Sequence, residues 1–177
     1  MLGYVTTPGR GESDRLLAAL AESLLAEGVQ VLGVVQRNLE RPDGARCDMD
    51  LLGLGATDVW RISQRLGPRS QGCRLDPQGL ERAAGEIAAV LAAGSAADLL
   101  LVNKFGKQEV DGRGFRPVIA AALLRDLPVL TAVNARNLPG FLAFAGGLAE
   151  PVAAEAAALR QWCRARIAPR SPGLATA

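Results

Sequence analysis

Apolar and polar positions alternate along the chain between two kinds of pattern. Short, mainly apolar runs occur at residues 2–5, 31–35 and 129–133, and a fully apolar one at 99–102. Each reads as a strand, and the lack of alternation at 99–102 marks a central one covered on both faces. Helical spacing fills the intervals. Leu16, Leu17, Leu20, Leu24 and Leu25 repeat at the period of a helix that Gly28 ends. A helix over 77–93 takes Asp76 as its N-cap and Pro77 as its first residue. Another over 115–125 leads to the strand at 129–133, where Pro128 stands at a strand start that tolerates a missing N–H. A short helix at 137–143, a break at Gly146 and Gly147, and an alanine-rich helix at 151–166 packing Leu159 and Trp162 complete the series. The opening strand, helix and strand predict parallel pairing through a right-handed crossover.

Two segments depart from this alternation. The runs CDMDLL and VWRIS, separated by the turn GLGATD, read as a β-hairpin projecting from the main sheet. The Pro-, Ser- and Ala-rich residues 169–177 read as a disordered tail. Residues 1–168 are then a single α/β domain, with no internal repeat or domain boundary visible. A chain of 177 residues, 49% hydrophobic and 21% charged, is long and apolar enough for one continuous core.

Composition also narrows the chemistry. No apolar run reaches the roughly 18 residues of a membrane span, and the first residues carry none of the features of an export signal. A cytoplasmic protein without membrane insertion is expected. The net charge of +2 comes with scattered arginines rather than a basic stripe, so nucleic acid is not an expected partner. The chain has no histidine, and Cys47, Cys73 and Cys163 show no CxxC spacing. Ordinary zinc sites and a Ser-His-Asp triad are thereby excluded. The cysteines read as small buried hydrophobes, with Cys73 as the exception.

The first candidate motif is TTPGRGES, between the first strand and the first helix. A phosphate loop of the form GxxxxGK[ST] gathers backbone N–H groups at a helix N-terminus, adds a lysine for the β and γ phosphates, and ends in a hydroxyl for magnesium. Thr7 and Gly9 fall within this turn, and Gly11 and Ser13 occupy the second glycine and hydroxyl positions. Thr6 stands where the first glycine belongs and Glu12 where the lysine belongs, a reversal of charge that opposes a triphosphate. The same letters also suit an ordinary strand-to-helix turn.

The second motif, NKFGKQEVDGRGFR, follows the apolar run at 99–102. Ligands in α/β sheets sit at the carboxyl ends of strands, which places this segment beside the first turn. Its candidates are Asn103, Lys104, Gly106, Lys107, Glu109 and Arg113, with a solvated charged loop as the plain alternative. A third segment, QRLGPRSQGCRLD, brings Arg69, Gly72, Cys73 and Arg74 before a helix start, a composition suited to an anion or simply to a soluble connection.

Together, TTPGRGES, the CDMDLL/VWRIS pair, LLLVNKFGKQE and FRPVIAAALLRDLPVLTAV resemble the small P-loop nucleoside-triphosphatases of the cancer-related and thermophilic type, over about residues 1–135. GARCDMDL, ISQRLGPRSQGCRLD, VNKFGKQEVDGRGFR and FAGGLA are similar to a bacterial family of unknown function related to them, up to about Leu148. The resemblance implies a P-loop-like three-layer sandwich around a mostly parallel sheet, and a setting near molybdate-import genes. It also implies that Asn103 and Lys104 replace the Asp-Glu pair with which active relatives hold magnesium and activate water, while Gly106, Lys107 and Glu109 match.

Both motifs are therefore degraded, and magnesium lacks its carboxylate. The expectation is a non-hydrolytic pseudoenzyme that binds a nucleotide or an oxyanion such as molybdate and serves molybdenum supply as an accessory or regulatory factor. Two alternatives stay open. One is an atypical active nucleoside-triphosphatase using Glu109 or Asp111 with Lys104 or Lys107. The other is a structural interaction protein, acting as a homodimer or with a protein partner, whose cleft is closed by a Glu12–Lys104 ion pair.

Overall fold

Among the residues that the computed structural model describes, 1–40, 47–55, 58–64 and 74–167, six helices pack on one seven-stranded sheet. The order is β1 (Leu2–Val5), α1 (Glu12–Ala26), β2 (Val31–Leu39), β3 (Asp48–Leu54), β4 (Val59–Arg61), α2 (Pro77–Ala92) and β5 (Leu99–Phe105). There follow α3 (Lys107–Val110), α4 (Arg116–Leu123), β6 (Val129–Val133), α5 (Leu138–Ala145), β7 (Ala149–Pro151) and α6 (Ala156–Arg166). Across the sheet the order is β4-β3-β2-β5-β6-β1-β7. The five strands from β2 to β7 in that order run parallel, so β2, β5, β6 and β1 end at one common edge.

The apolar runs are central for the reason their pattern implies. Leu99, Leu100, Leu101 and Val102 are all at most 1% exposed, with odd and even positions feeding different layers. Leu99 and Leu101 pack with Leu17, Leu20 and Leu24 of α1 and Leu159 and Trp162 of α6. Leu100 and Val102 pack on the other face with Leu80 and Ile87 of α2, Ile119 of α4 and Phe141 of α5. This is an α/β three-layer sandwich of the P-loop type. No helix among the described residues is long and apolar enough to cross a membrane.

Several boundaries depart from the expectation. The hairpin does not project from the sheet. It continues it, because β2 runs on past Val35 to Leu39 and pairs antiparallel with β3 from Gly33↔Leu54 to Leu39↔Asp48, and β4 follows. The polar letters of 36–38 disguised that extension. β5 likewise continues to Phe105, so Asn103 and Lys104 belong to the strand rather than to the loop after it. Residues 107–110 form the short helix α3 where a loop is expected. The last helix starts at Ala156, since residues 149–151 are drawn into the sheet as β7 beside β1. The expected tail at 169–177 lies outside the described residues.

One strand position constrains the centre. Gly33 of β2 has φ +125°, and a Cβ there would stand 2.0 Å from the carbonyl oxygen of Leu101. Only a residue without a side chain lets β2 and β5 approach so closely. Gly33→Ala is expected to lower stability by about 3 kcal/mol, read as a fall in the urea midpoint at unchanged slope.

Candidate functional site

The loop after β1 turns into α1 through Gly11, whose φ of 68° is the left-handed conformation that glycine accepts without penalty. Gly11 caps α1 without a side-chain hydrogen bond, and Glu12 and Asp14 stand in the first turn, where carboxylates favour the positive end of the helix dipole. The two acids part company at once. The Glu12 carboxylate folds back to accept the Gly9 N–H at 3.0 Å. Asp14 points inward and is 3% exposed.

What meets Asp14 comes from a β-bulge. Val102 pairs with Thr131 and Phe105 with Val133, so β5 spends one residue more than β6 over this interval. Strict alternation would send Asn103 and Lys104 to opposite faces. Instead Asn103 donates its amide to Asp14 Oδ1 at 2.9 Å, and Lys104 Nζ lies 2.6 Å from the same oxygen. Asn38 of β2 donates to Asp14 Oδ2 at 3.1 Å. Asn103 Oδ1 in turn accepts the Gln36 N–H at 3.0 Å, tying β2 to β5 beyond their ladder.

Above this network opens a crevice of about 650 Å3 at the carboxyl edge of the sheet. Its walls include the loop residues 7–11, Ser13, Asn38, Lys104 and Gly106, with Cys47, Met49 and Arg74 opposite and Asn134 behind. Arg10, Arg74 and Lys104 supply three cations, and no carboxylate is among the described lining residues. Arg74 is held by donation from Nη1 to the Cys47 carbonyl at 2.9 Å. Asn134 accepts the Asn137 N–H on its side chain at 2.9 Å, which fixes the start of α5.

The sequence candidates divide accordingly. Thr7, Gly9, Gly11, Ser13, Arg74, Lys104 and Gly106 share the crevice, so the first turn and the end of β5 do face one space. Glu12 borders it without lining it. The expected Glu12–Lys104 pair is not formed; Lys104 takes Asp14 instead, and the crevice remains open. Asn103 lies beneath, and Lys107 and Glu109 border a smaller neighbouring hollow. Lys107 pairs with Asp111 at 2.8 Å, as Arg113 does at 3.5 Å, and neither reaches the crevice. Arg69, Gly72 and Cys73 lie outside the described residues. Asp14, Asn38, Arg10 and Asn134 were not singled out from sequence.

Two ionisable groups have clear structural duties. Glu109 is 3% exposed, and its two oxygens accept the Gly106 N–H at 2.8 Å and the Phe115 N–H at 3.1 Å. Burial raises its carboxyl above the usual range, partly offset by those backbone donors. A carboxylate so engaged, like Asp111 on its pair with Lys107, is not placed to act in the crevice. The buried Cys163 thiol is pushed up to about 12 by burial, which makes it an inert core residue.

Magnesium, which the fold implies, does not fit these residues. Mg2+ demands oxygen ligands in near-octahedral array. Both oxygens of the Asp14 carboxylate face nitrogen donors, and an ammonium stands against one of them.

The family described as "Protein of unknown function (DUF2478)" matches residues 2–162. The chain is 35% identical over 151 residues, 85% of its length, to the molybdenum import ATP-binding protein ModC 2 of Bradyrhizobium diazoefficiens, of which it spans only 17%. It is 30% identical over 133 residues to the nucleoside-triphosphatase THEP1 of Thermofilum pendens, covering 73% of this chain and 71% of that protein. These matches make it a relative of the P-loop nucleoside-triphosphatases. No solved structure matches.

Asp14→Ala strands three buried or half-buried donors and is expected to cost about 3 kcal/mol. Lys104→Ala, whose side chain is 43% exposed, is expected to cost about 1 kcal/mol or less; urea unfolding of both variants measures the difference. For Glu109 the folded group keeps its proton to higher pH than the unfolded chain. Its contribution is therefore full below the ordinary value of 4.5 and is lost as pH rises through the folded value. The stability of the wild type relative to Glu109→Gln is expected to fall as pH rises above the ordinary value of 4.5, followed by melting temperature in matched buffers.

Proposed function

For this chain, which belongs to the DUF2478 family, we propose a P-loop-like binding protein that holds a nucleotide phosphate or a tetrahedral oxyanion without magnesium and does not hydrolyse it. The observation that carries this is a crevice with Arg10, Arg74 and Lys104 on its walls and no carboxylate among its described lining residues. An anion entering there meets cations, the Ser13 position and the backbone of the loop after β1. Guanidinium forks and loop N–H groups suit its oxygens.

The same arrangement argues against turnover. Phosphoryl transfer to water uses a metal to neutralise developing charge and a carboxylate or amide to orient the nucleophile. Lys104 occupies the environment of Asp14 as a fixed monovalent charge, and Glu109 and Asp111 are committed elsewhere. The relative named for molybdenum import makes molybdate the first oxyanion to examine, with an accessory or regulatory role in molybdenum supply as its setting.

Glu12 sets the affinity from the rim. Its carboxylate takes the Gly9 N–H that an anion would compete for. Calorimetry with ATP, ADP, GTP, pyrophosphate, molybdate and sulfate, each with magnesium and with a chelator, tests the proposal. Binding of at least one of these anions that is indifferent to magnesium is expected. It should weaken at least tenfold in Lys104→Ala and tighten roughly tenfold, about 1.4 kcal/mol, in Glu12→Gln. Heat only in the presence of magnesium, or steady phosphate release from ATP or GTP, overturns it.

A further inference from the structure

Charge is one property of the crevice, and the direction of its hydrogen bonds is another. Arg10, Arg74 and Lys104 on its walls are donors with no capacity to accept. Two amides also line it, and in each the oxygen is already engaged. Asn38 Oδ1 accepts Gln36 Nε2 at 2.7 Å, and Asn134 Oδ1 accepts the Asn137 N–H at 2.9 Å. The open end of the exposed Asn134 amide is therefore its NH2 donor.

Backbone carbonyls around the crevice follow suit. Those of Gly11, Gly106 and Asn134 accept the N–H groups of Arg15, Val110 and Leu138, and that of Cys47 accepts Arg74 Nη1. The carboxylates of the first turn of α1 are turned away as well. Both Asp14 oxygens face nitrogen donors in the floor, and Glu12, on the rim, holds the Gly9 N–H. Thr7 and Ser13 carry hydroxyls that can serve in either sense, but one that accepts from a ligand is lost to it as a donor. An oxyanion here meets donors from several sides. Oxygens without hydrogen accept these bonds, whereas an O–H on the ligand gives up a water that accepted it and faces further donors instead.

We propose that the crevice selects oxyanions that carry no hydrogen: dianions such as sulfate and molybdate, or a phosphate monoester in its dianionic form, over hydrogenphosphate. The inference rests on the anion reading of the crevice and deepens it by naming the class of anion. Attraction by three cations does not produce this preference, because hydrogenphosphate has the charge and tetrahedral shape of the favoured dianions and differs by one O–H.

The test is calorimetry on the full chain with sulfate, molybdate, monofluorophosphate and hydrogenphosphate, with a chelator present, at about pH 8, where all are dianions. Monofluorophosphate replaces the O–H of hydrogenphosphate by fluorine at equal charge. Hydrogenphosphate is expected to bind at least about tenfold more weakly than monofluorophosphate, the effect of stranding one polar hydrogen among donors. Asn134→Asp keeps an oxygen for the Asn137 N–H and offers a second as an acceptor, so hydrogenphosphate should lose its disadvantage while monofluorophosphate weakens. Equal affinity of the wild type for these two anions, or an Asn134→Asp variant that weakens both by the same factor, overturns the selection and leaves the anion reading standing. Silence from all four anions at millimolar concentration overturns the selection too. If the nucleotides of the preceding test are then also silent, the anion reading falls with it.

Discussion

A carboxylate withdrawn from water in the first turn of α1 organises the edge of the sheet where ligands of this fold class meet the protein. Asp14 has two oxygens, and three nitrogen donors from two strands converge on them: Asn103 and Lys104 of β5 and Asn38 of β2. A buried charge without partners would be expelled or neutralised, whereas one with this many donors is tolerated and fixes the geometry around it. The consequence is positional. The start of α1, the end of β2 and the end of β5 are held together by polar contacts exactly where backbone pairing runs out, so the crevice above them has a rigid floor.

That floor depends on a local irregularity. Without the extra residue between Val102 and Phe105, one of Asn103 and Lys104 would face the layer of α2 and α4 instead of α1. The bulge also returns Phe105 to the apolar layer, where it packs edge-on to Phe141 with ring centroids 5.1 Å apart. One inserted residue therefore serves both sides of the sheet. It delivers an amide and an ammonium to Asp14 and keeps the aromatic cluster behind α5 closed.

Much of the architecture was legible because buried parallel strands and amphipathic helices announce themselves by period. The failures have physical causes. The polar end of β2 and the three residues of β7 lack any alternation that distinguishes an edge or a strand end from a loop. α3 is a single turn whose N-terminal N–H groups are partly satisfied by Glu109, a contact no periodicity encodes. The alternative pairing of Lys104 with Glu12 rests on reciprocal charges in neighbouring loops, and helix phase decides between the two acids. Successive helix residues are about 100° apart, so Glu12 lies across the helix from Asp14, and it is Asp14 that falls on the stripe of Leu17, Ala21 and Leu24. An acid on an apolar stripe was the signal available, and it pointed to a buried partner.

The exchange of charges relative to a phosphate-hydrolysing loop has a chemical meaning that the fold preserves. An ammonium is a compact point charge with three donors and no capacity to accept or to coordinate. It can neutralise part of an anion's charge, but it cannot lower the pKa of a bound water as a divalent ion does. On the proposed reading, Asn103 and Lys104, standing where the resemblance implies carboxylates, separate two tasks that a metal performs together: attraction of an anion and activation of a nucleophile. On that reading the first task falls to Arg10, Arg74 and Lys104 on the crevice walls. The second has no group left in the described walls to perform it, since Glu109 is spent on backbone donors and Glu12 on Gly9. Under the proposed function, a crevice altered in this way holds its ligand unchanged.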